Sequence, residues 1–530
     1  MNELASGLSR RSLLKLSSGL VVAFSLFKPA ESTAEAAAGP IPGGVPPDAG
    51  RLYAWLAVHP DDTATLFTGK VDLGTGAETA LAQIAAEELD FPVDRLNVVM
   101  GSTAETVNQG HSGGSRTIRY AGPQIRHAAA AGRQALLDLA AVHFKVPADQ
   151  LSVANGVISV AGASGRSISY GRLVDGKRLT MEIGASGDSY DMVVAPQAKP
   201  KDPATYKVVG TSVRRKDIPA KITATYTYIQ DVKIEGMLHG RVVRPYGVQS
   251  TLLSIDETGL SDIPGFVQVV RRGNFLGVVA ETEWGAIQAA QKLGSVLNPQ
   301  GPTSGHAKWS DWRGLPAMDQ IWETVRTTPG NNTSVAASGS VDEALKSAAT
   351  VVNATYQTPF QMHGSIGPSC AIADVRNDSA ILWSGTQGPA EARLAMAGLL
   401  GIPADRVELR WFGAPGSYGR SGPDHAIADA ALMSQAVGRP VRVQWMRWDE
   451  HGWEPKGPPI VQDLAGAVDA HGNVVAWRHH MWIPTLGDTE LVAAQLIGKP
   501  NIVGSVGMGR PAITYAYQFA NAEVACHGEG

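Results

Sequence analysis

Two glycine-rich segments contain the residue types that can bind an anionic group. The first runs from Asn108 to Thr117, and the second runs from Gly413 to Gly422. Backbone amides approach an oxyanion closely only where side chains are missing, and hydroxyls with an arginine can complete such a cradle. The pattern therefore predicts a binding site for a phosphate-like group. A pair of ordinary tight turns is the alternative interpretation.

A repeated helix–turn–strand unit must position these segments. An apolar-Pro-x-Asp step occurs at Phe91–Asp94, Val146–Asp149 and Ile402–Asp405, each time between an Ala/Leu-rich stretch and an alternating apolar stretch. Proline cannot continue a helix, so each step predicts the end of a helix and the start of a strand. The first and third units lead directly into the two glycine-rich segments.

Three sharper motifs fail on physical grounds. Gly110–Gly114 matches the G-x-S-x-G pattern of serine hydrolases, but no strand is predicted immediately before it, as a nucleophile elbow requires. Gly74-Thr75-Gly76 lacks the third glycine of a dinucleotide fingerprint, because position 79 is Thr79. His479 and His480 are neighbours on a predicted strand and point to opposite faces, so they cannot chelate one ion together.

The composition is that of a large globular protein of two to four domains. The chain has 530 residues, 44% of them hydrophobic, and a formal net charge of -4 without a basic run, which argues against a nucleic-acid partner. No apolar stretch is long enough to predict a membrane span. Cys370 and Cys526 cannot supply the four thiolates of an iron–sulfur cluster. A disulfide between them and two buried thiols both remain open.

The first 38 residues resemble an export signal. Arg10 and Arg11 stand between two serines, an apolar run reaches Phe27, and small-residue sites follow at Ala34-Glu35-Ala36 and Ala36-Ala37-Ala38. This is typical of the twin-arginine route, which exports proteins already folded around a cofactor. The pattern predicts a cofactor enzyme in the periplasm, with a general secretory signal as the alternative.

Residues 206–245 carry a family resemblance. Tyr206–Gly210, Lys216–Thr223 and Gly236–Pro245 resemble the hammerhead domain of xanthine dehydrogenase/aldehyde oxidase-type molybdopterin-binding large subunits. The second glycine segment resembles the loop beside the molybdenum centre in that family, and Ser384–Gln387 resembles the strand end whose glutamine approaches the metal. The position of the first segment before the hammerhead is similar to isoquinoline 1-oxidoreductase and nicotinate or aldehyde dehydrogenase large subunits.

The resemblance implies a multidomain α+β fold in which an α/β-hammerhead domain is flanked by molybdopterin-binding segments. The predicted divisions are a signal peptide at 1–38, a permuted molybdopterin-binding segment at 50–200, the hammerhead domain at 201–310, a linker at 311–340, and an incomplete molybdopterin-binding domain at 341–530. Within the hammerhead we predict strands at 206–209, 223–229, 238–243 and 276–280, and a helix at 283–293.

The same resemblance implies a molybdenum hydroxylase that oxidises aldehydes or N-heteroaromatic compounds with water as the oxygen source. The implied cofactor is molybdenum-molybdopterin cytosine dinucleotide, and no side chain is predicted to ligate the metal directly. Electrons would pass to a small [2Fe–2S] partner subunit, with a cytochrome c as a further candidate. The predicted cofactor contacts are Gly74, Thr75, Gly76, Gly113, Gly114, Ser115, Arg116, Thr117, Gln387, Gly416, Ser417, Tyr418, Gly419 and Arg420.

Three departures from the family pattern affect the predicted site. Tyr418 stands where the loop usually has phenylalanine, and Thr75 stands where glutamine is expected. The catalytic glutamate of the family falls beyond Gly530, so no catalytic residue is assigned, and Glu529 is interpreted as a chain end. A truncated, non-catalytic remnant that keeps part of the cofactor cradle is therefore the second hypothesis. A serine hydrolase is a distant third.

Overall fold

The computed structural model describes residues 45–175, 181–245, 247–294, 306–310, 316–420, 422–484, 490–504 and 517–529. The predicted export signal at 1–38 lies outside these residues. The chain divides into two compact units: unit 1 comprises Met1–Met237, Cys370–Gly416 and Ala430–Arg442, and unit 2 comprises Leu238–Ser369, Ser417–Asp429 and Val443–Gly530. Helix and strand are mixed throughout, at 31% and 28%, which confirms the predicted α+β, multidomain class.

The described helices and strands are as follows. The helices are α1 Ala77–Leu89, α2 Gly122–Phe144, α3 Tyr170–Val174, α4 Ile218–Ile222, α5 Glu283–Leu293, α6 Ile321–Thr327, α7 Val341–Ser347, α8 Pro389–Leu400, α9 Pro423–Val437, α10 Arg447–Trp453 and α11 Val492–Leu496. The strands are β1 Leu56–Val58, β2 Ala64–Thr68, β3 Leu96–Met100, β4 Leu151–Ala154, β5 Val157–Val160, β6 Ser167–Ser169, β7 Ala185–Ser186, β8 Val193–Val194, β9 Leu238–Val242, β10 Leu252–Ile255, β11 Phe266–Arg272, β12 Phe275–Ala280, β13 Ala307–Trp309, β14 Asn331–Ser338, β15 Thr350–Thr358, β16 Cys370–Arg376, β17 Ser379–Ser384, β18 Val407–Trp411, β19 Val441–Gln444, β20 Ile460–Val468, β21 Val474–Trp482 and β22 Ala522–Glu529.

Unit 1 contains two β-α-β arrangements. In the first, β2 and β3 are parallel neighbours connected through α1, and β1 pairs antiparallel with β2. In the second, β17 and β18 are parallel neighbours connected through α8, and β16 pairs antiparallel with β17. Parallel strands need such a crossover, and ligands commonly bind beyond their carboxyl ends. The second glycine-rich segment begins two positions after the last residue of β18, and the first begins eight positions after the last residue of β3.

Small side chains let the helices of unit 1 approach closely. Alanines at 82, 85 and 86 of α1 and at 128, 129 and 131 of α2 are fully buried in one apolar core. That core also contains Leu66 of β2 and Leu96 of β3. Alanine loses no side-chain rotamer freedom in a helix, so these positions combine helix formation with tight packing. The result is a fixed platform beneath the first glycine segment.

Besides the short pair β10 and β13, the described residues of unit 2 contain two larger groups of paired strands. One comprises β11, β12 and β9, with α5 packed on it through a core that includes Leu276, Val278 and Leu293. The other has the strand order β14-β22-β21-β20-β15 and joins distant parts of the chain. Its central strands β21 and β22 run parallel, whereas the other neighbouring pairs are antiparallel.

The predicted helix–turn–strand units are confirmed. Each proline is followed by a short 3-10 turn, at Val93–Arg95, Ala148–Gln150 and Ala404–Arg406, and then by a strand. The predicted strands at 238–243 and 276–280 and the helix at 283–293 are also present, as β9, β12 and α5.

The predicted strands at 206–209 and 223–229 are wrong. The amides of Lys207, Val208 and Val209 all donate to one carboxylate oxygen of Glu87, at 2.9, 2.6 and 3.0 Å, so they are not available to a neighbouring strand. The second segment follows α4, which begins with Pro219 in its first turn. Within the predicted linker at 311–340, the structure has α6 and β14.

The structure bears on the two cysteines and on the prediction that the chain has no membrane span. Cys370 and Cys526 are both buried, and no disulfide joins them. Of the helices that the structure describes, none combines the length and the apolar character that a membrane crossing requires.

Candidate functional site

The first glycine segment contacts residue Gln387, which follows the carboxyl end of β17. The side-chain amide of Gln387 donates to the Ser112 carbonyl at 2.9 Å, and the Ser112 amide donates to the Gln387 carbonyl at 2.8 Å. The start of the second segment lies beside the same strand end, because the Phe412 amide donates to the Ser384 carbonyl at 3.0 Å. The structure therefore brings together the predicted residue Gln387 and both glycine segments as far as Gly416.

Residues 68–71, at the carboxyl end of β2, fix the first segment residue by residue. The Thr68 hydroxyl and the Gly69 amide donate to the side-chain oxygen of Gln109, at 2.6 and 2.9 Å. The Lys70 ammonium group donates to the carbonyls of Gly110 and His111, and the Val71 amide donates to the Ser112 hydroxyl at 2.9 Å. This register defines the path of residues 109–112 before the exposed part of the loop begins.

Lys70 is the central contact of that register. Its buried ammonium group donates to the carbonyls of Gly110 and His111, both at 3.0 Å, and lies 4.5 Å from the centre of the Tyr190 ring. Burial lowers the pKa of Lys70 to about 8, although the charge of Glu391 opposes this. A cation is thus held directly beneath the glycine segment.

The exposed part of the loop can act as an anion cradle. Gly114 and Ser115 both adopt left-handed backbone angles, with φ of 58° and 59°, and they are exposed. Within the part of the chain that the structure describes, the amides of Gly113, Gly114 and Ser115 make no hydrogen bond. Thr117 then begins the turn that leads into α2. Amides at the start of a helix favour an anion, so the chemistry of this loop fits a phosphate group.

Arg116 adds a positive charge to the cradle. Its guanidinium lies 4.8 Å from the centre of the Tyr190 ring, and the Tyr190 hydroxyl donates to the His111 carbonyl at 2.7 Å. Tyr190 therefore contacts Arg116 and Lys70 and positions both cations. Sequence analysis did not identify Lys70 or Tyr190, because their roles depend on contacts with distant segments.

Gly74, Thr75 and Gly76 lie in a different environment. The amides of Gly74 and Gly76 donate to the carboxylate of Asp72, at 2.8 and 3.2 Å, and the Gly74 carbonyl accepts from Arg215 at 2.9 Å. Asp72 thereby binds the start of α1, where an external anion would otherwise find donors. Of the three predicted cofactor contacts in this turn, only Thr75 has a backbone amide that does not donate to Asp72.

An open groove of about 340 Å³ lies beside these elements in unit 1. It is lined by Glu78, Val98, Val99, Met100, Ser102, Glu105, Arg410, Trp411 and Phe412. The Ser102 hydroxyl and the Trp411 indole nitrogen are buried and have no hydrogen-bond partner among the described residues. Burial, and then the charges of Asp217 and Asp72, raise the pKa of Glu78. Aromatic, polar and acidic groups therefore share one groove.

The start of the second glycine segment is tightly packed in unit 1. A Cβ at Gly413 would lie 2.4 Å from the Tyr226 hydroxyl oxygen. Gly416 has a φ of 101°, and its amide donates to the Ala414 carbonyl at 2.8 Å. These two positions therefore require glycine for steric and backbone reasons, respectively.

The remainder of the segment lies in unit 2. The buried Ser417 hydroxyl donates to the Gly419 carbonyl at 3.1 Å, and Tyr418 is 65% exposed with a φ of 50°. Gly419 has a φ of 127°, and a Cβ there would lie 2.7 Å from Cδ2 of His363. The exposed Tyr418 hydroxyl can be solvated, so the replacement of phenylalanine leaves no buried polar group unsatisfied.

A buried ion pair lies in unit 2, between the turn after β9 and helix α9. Arg244 donates to Asp429 at 2.6 Å, with both side chains fully buried, and the Trp445 indole donates to the same carboxylate oxygen at 2.9 Å. Burial raises the pKa of the nearby Asp449 to about 7. Local sequence patterns cannot identify this ion pair, because Arg244 and Asp429 are 185 positions apart in the chain.

The serine-hydrolase hypothesis finds no support in this geometry. Ser112 is buried, and its hydroxyl accepts the hydrogen bond from Val71. Residues 101–116 are all described and contain no strand, so no nucleophile elbow leads into Ser112. Within the described residues, no group of three His, Cys, Asp or Glu side chains is arranged to hold a metal ion.

Comparisons with known proteins identify the domains. Residues 26–232 and residues 325–491 each match a family model described as a molybdopterin cofactor-binding domain. A nicotinate dehydrogenase subunit of Pseudomonas putida is 37% identical over 460 residues, an alignment covering 85% of this chain and 37% of that protein. The beta subunit of isoquinoline 1-oxidoreductase from Brevundimonas diminuta is 29% identical over 501 residues, covering 85% and 62%. The chain thus spans less than two thirds of the length of either relative.

A solved structure also resembles the chain. Quinoline 2-oxidoreductase from Pseudomonas putida 86 superposes with a TM-score of 0.45 at 18% identity, covering 61% of this chain and 44% of that one.

Proposed function

Since this chain belongs to the molybdopterin-binding large subunits of the xanthine dehydrogenase family, we propose that its first glycine segment binds the phosphate portion of a molybdenum-molybdopterin cofactor. The observation that supports this most directly is the cradle itself. Three amides without partners in the described residues stand next to Arg116, directly before the helical turn Thr117–Ala121 that leads into α2. We propose the cytosine dinucleotide form of the cofactor.

The residues of unit 1 have separate roles in this proposal. Gly113, Gly114 and Ser115 donate to phosphate oxygens, and Arg116 balances the negative charge. Lys70 fixes the loop from below and contributes a second cation that is shielded from solvent. Gln387 keeps the end of β17 attached to the loop through Ser112. Residues 416–420 remain predicted cofactor contacts.

We propose that the reaction is the hydroxylation of an electron-poor carbon, in an N-heteroaromatic ring or an aldehyde. When bound, the cofactor supplies two-electron oxidation with water as the source of oxygen. The protein's contribution is to bind and orient the cofactor and to balance its charge. The names of the two relatives favour heteroaromatic substrates. Electrons would then leave to a partner subunit with a [2Fe–2S] cluster, with a cytochrome c as a further candidate.

The direct test is the cofactor content of the full chain purified from a host that synthesises this cofactor. We expect molybdenum close to one atom per chain by mass spectrometry and release of CMP on acid hydrolysis. Arg116→Glu should lower both values, because it places a negative charge in the cradle. Arg172→Glu, an exposed arginine in α3, is the matched control and should leave both unchanged.

Two results would contradict parts of this proposal. Absence of molybdenum and pterin from the parent chain would remove the cofactor assignment, and release of a different nucleotide would remove the cytosine form. Reduction of a dye in the presence of nicotinate, isoquinoline or an aromatic aldehyde then tests the substrate class. A chain that retains the cofactor but oxidises none of these compounds would favour the non-catalytic hypothesis.

A further inference from the structure

Two histidines of unit 2 face each other across the parallel strands β21 and β22. Nδ1 of His480 lies 3.2 Å from Nε2 of His527. The other nitrogen of each ring has its own partner: Nε2 of His480 lies 2.9 Å from Glu523, and Nδ1 of His527 lies 2.9 Å from the side-chain oxygen of Asn332. The sequence motif His479-His480 does not indicate any of these contacts, because they join His480 and His527 to residues elsewhere in the chain.

The outer partners determine where the ring protons are. Glu523 also accepts from Nε of Arg478 at 2.8 Å, so it is an acceptor and Nε2 of His480 must donate to it. The amide oxygen of Asn332 likewise accepts from Nδ1 of His527. In a neutral imidazole the second nitrogen then has a lone pair. The two lone pairs then face each other across a gap of 3.2 Å, and a bound proton or a bound metal ion would remove their repulsion.

We propose that His480 and His527 form a binding site for a divalent transition-metal ion, with Cu²⁺ preferred. Metal–imidazole bonds of about 2.0–2.1 Å separate two neighbouring nitrogens by about 2.9 Å in square-planar geometry and by about 3.3 Å in tetrahedral geometry. The observed separation of 3.2 Å lies between these two values. Metal-binding histidines usually donate their other N–H to a carboxylate or carbonyl oxygen, as both rings do here. Cu²⁺ forms the most stable complexes among the divalent ions that imidazole binds.

The surroundings allow an ion to enter and hold the rings in place. Trp482 stacks on His527 with ring centres 4.8 Å apart, and Arg326 lies 4.5 Å from the Trp482 ring. The His480 side chain is 25% exposed, so solvent reaches the site. Among the described residues, no third histidine, cysteine or acid completes the set, so the proposed ion would complete its coordination with water. An open site of this kind exchanges its metal readily and is separate from the proposed cofactor cradle.

The test is a titration of the full, tag-free chain with Cu²⁺, followed by calorimetry and electron paramagnetic resonance. We expect one leading site whose spectrum shows coupling to two imidazole nitrogens. His480→Gln and His527→Gln should each weaken this site by about 10-fold or more. His479→Gln is the matched control, because its ring bonds to Gln462 on the opposite face of the same strand, and it should bind as the parent does.

A further variant tests the proton assignment. Asn332→Asp offers only acceptor oxygens to His527, so binding should be kept or strengthened. The nitrogen count from the parent spectrum does not depend on how any variant folds. Failure of the parent to bind Cu²⁺, or equal binding by all three histidine variants, would overturn the proposal. In the first case the gap holds a proton instead of a metal ion.

Discussion

Gln387 and Ser112 lie 275 positions apart and are joined by two hydrogen bonds, one from the Gln387 side chain and one from the Ser112 backbone. Through this pair, the end of β17 and the first glycine segment form one structural element. The backbone bond does not depend on the side chain at 387, so the two contributions can be separated by mutation.

The Gln387→Leu variant should lose cofactor but little stability. The lost side-chain bond contributes about 1 kcal/mol, and the backbone bond remains. We expect molybdenum content to fall several-fold while the urea midpoint changes slightly. Gln435→Leu is the matched control, since its side chain donates to the Leu400 carbonyl at 3.3 Å in the same unit. Equal molybdenum in both variants would show that Gln387 has no role at the cofactor.

The Gly419→Ala variant separates steric exclusion from backbone strain. Gly419 has a φ of 127°, and an added Cβ would lie 2.7 Å from His363. Gly472 also has a positive φ, of 84°, but a Cβ there meets nothing within 4 Å. We expect Gly419→Ala to lose molybdenum while its circular dichroism is retained, and Gly472→Ala to keep its metal. Comparable losses in both variants would favour a simple effect on folding.

The local parts of the fold could be predicted from sequence, and the long-range parts could not. The Pro-x-Asp turns formed as expected, because proline ends a helix wherever it occurs. The strand expected at 206–209 failed, because Glu87, about 120 positions away, binds its amides. No local pattern indicates such a partner.

In the candidate site, too, the sequence identified some residues and missed those whose role depends on long-range contacts. The sequence identified the glycine loop and Gln387 by their residue types. It did not identify Lys70, whose burial is determined by carbonyls 40 positions away and by the Tyr190 ring. A lysine that follows an apolar strand usually faces solvent, so its sequence context indicates nothing unusual.

Lys70 predicts a pH dependence of stability. Burial lowers its pKa to about 8 in the folded protein, from 10.5. Between these values the unfolded chain binds a proton that the folded chain does not, so the free energy of unfolding rises with pH. The rise from this residue should be on the order of 1 to 3 kcal/mol. Lys70→Met should remove it in urea titrations at pH 7.5 to 10, whereas the exposed Lys308→Met should not. A parent curve that is flat over this range would contradict the prediction.

Asp449 predicts the opposite trend at lower pH. Burial raises its pKa to about 7, from 3.8, so the folded chain keeps a proton that the unfolded chain has released. The free energy of unfolding should therefore fall as the pH rises from about 4 to about 7. Asn can still accept the hydrogen bond that the Met446 amide makes at 3.1 Å. We expect the stability advantage of Asp449→Asn over the parent to grow across this pH range. A constant difference between the two proteins would show that Asp449 does not titrate there.

The proposed twin-arginine signal can be tested by a change that removes guanidinium groups while keeping the positive charge. Arg10→Lys combined with Arg11→Lys preserves the positive charge but removes the paired arginines. We expect the double variant to remain in the cytoplasm with its cofactor bound, since the twin-arginine route exports only chains that have folded. The converse change, Lys15→Arg with Lys28→Arg, is the matched control and should be exported normally. Cell fractionation with immunodetection measures both. Undiminished export of the arginine-to-lysine variant would assign the segment to the general secretory route instead.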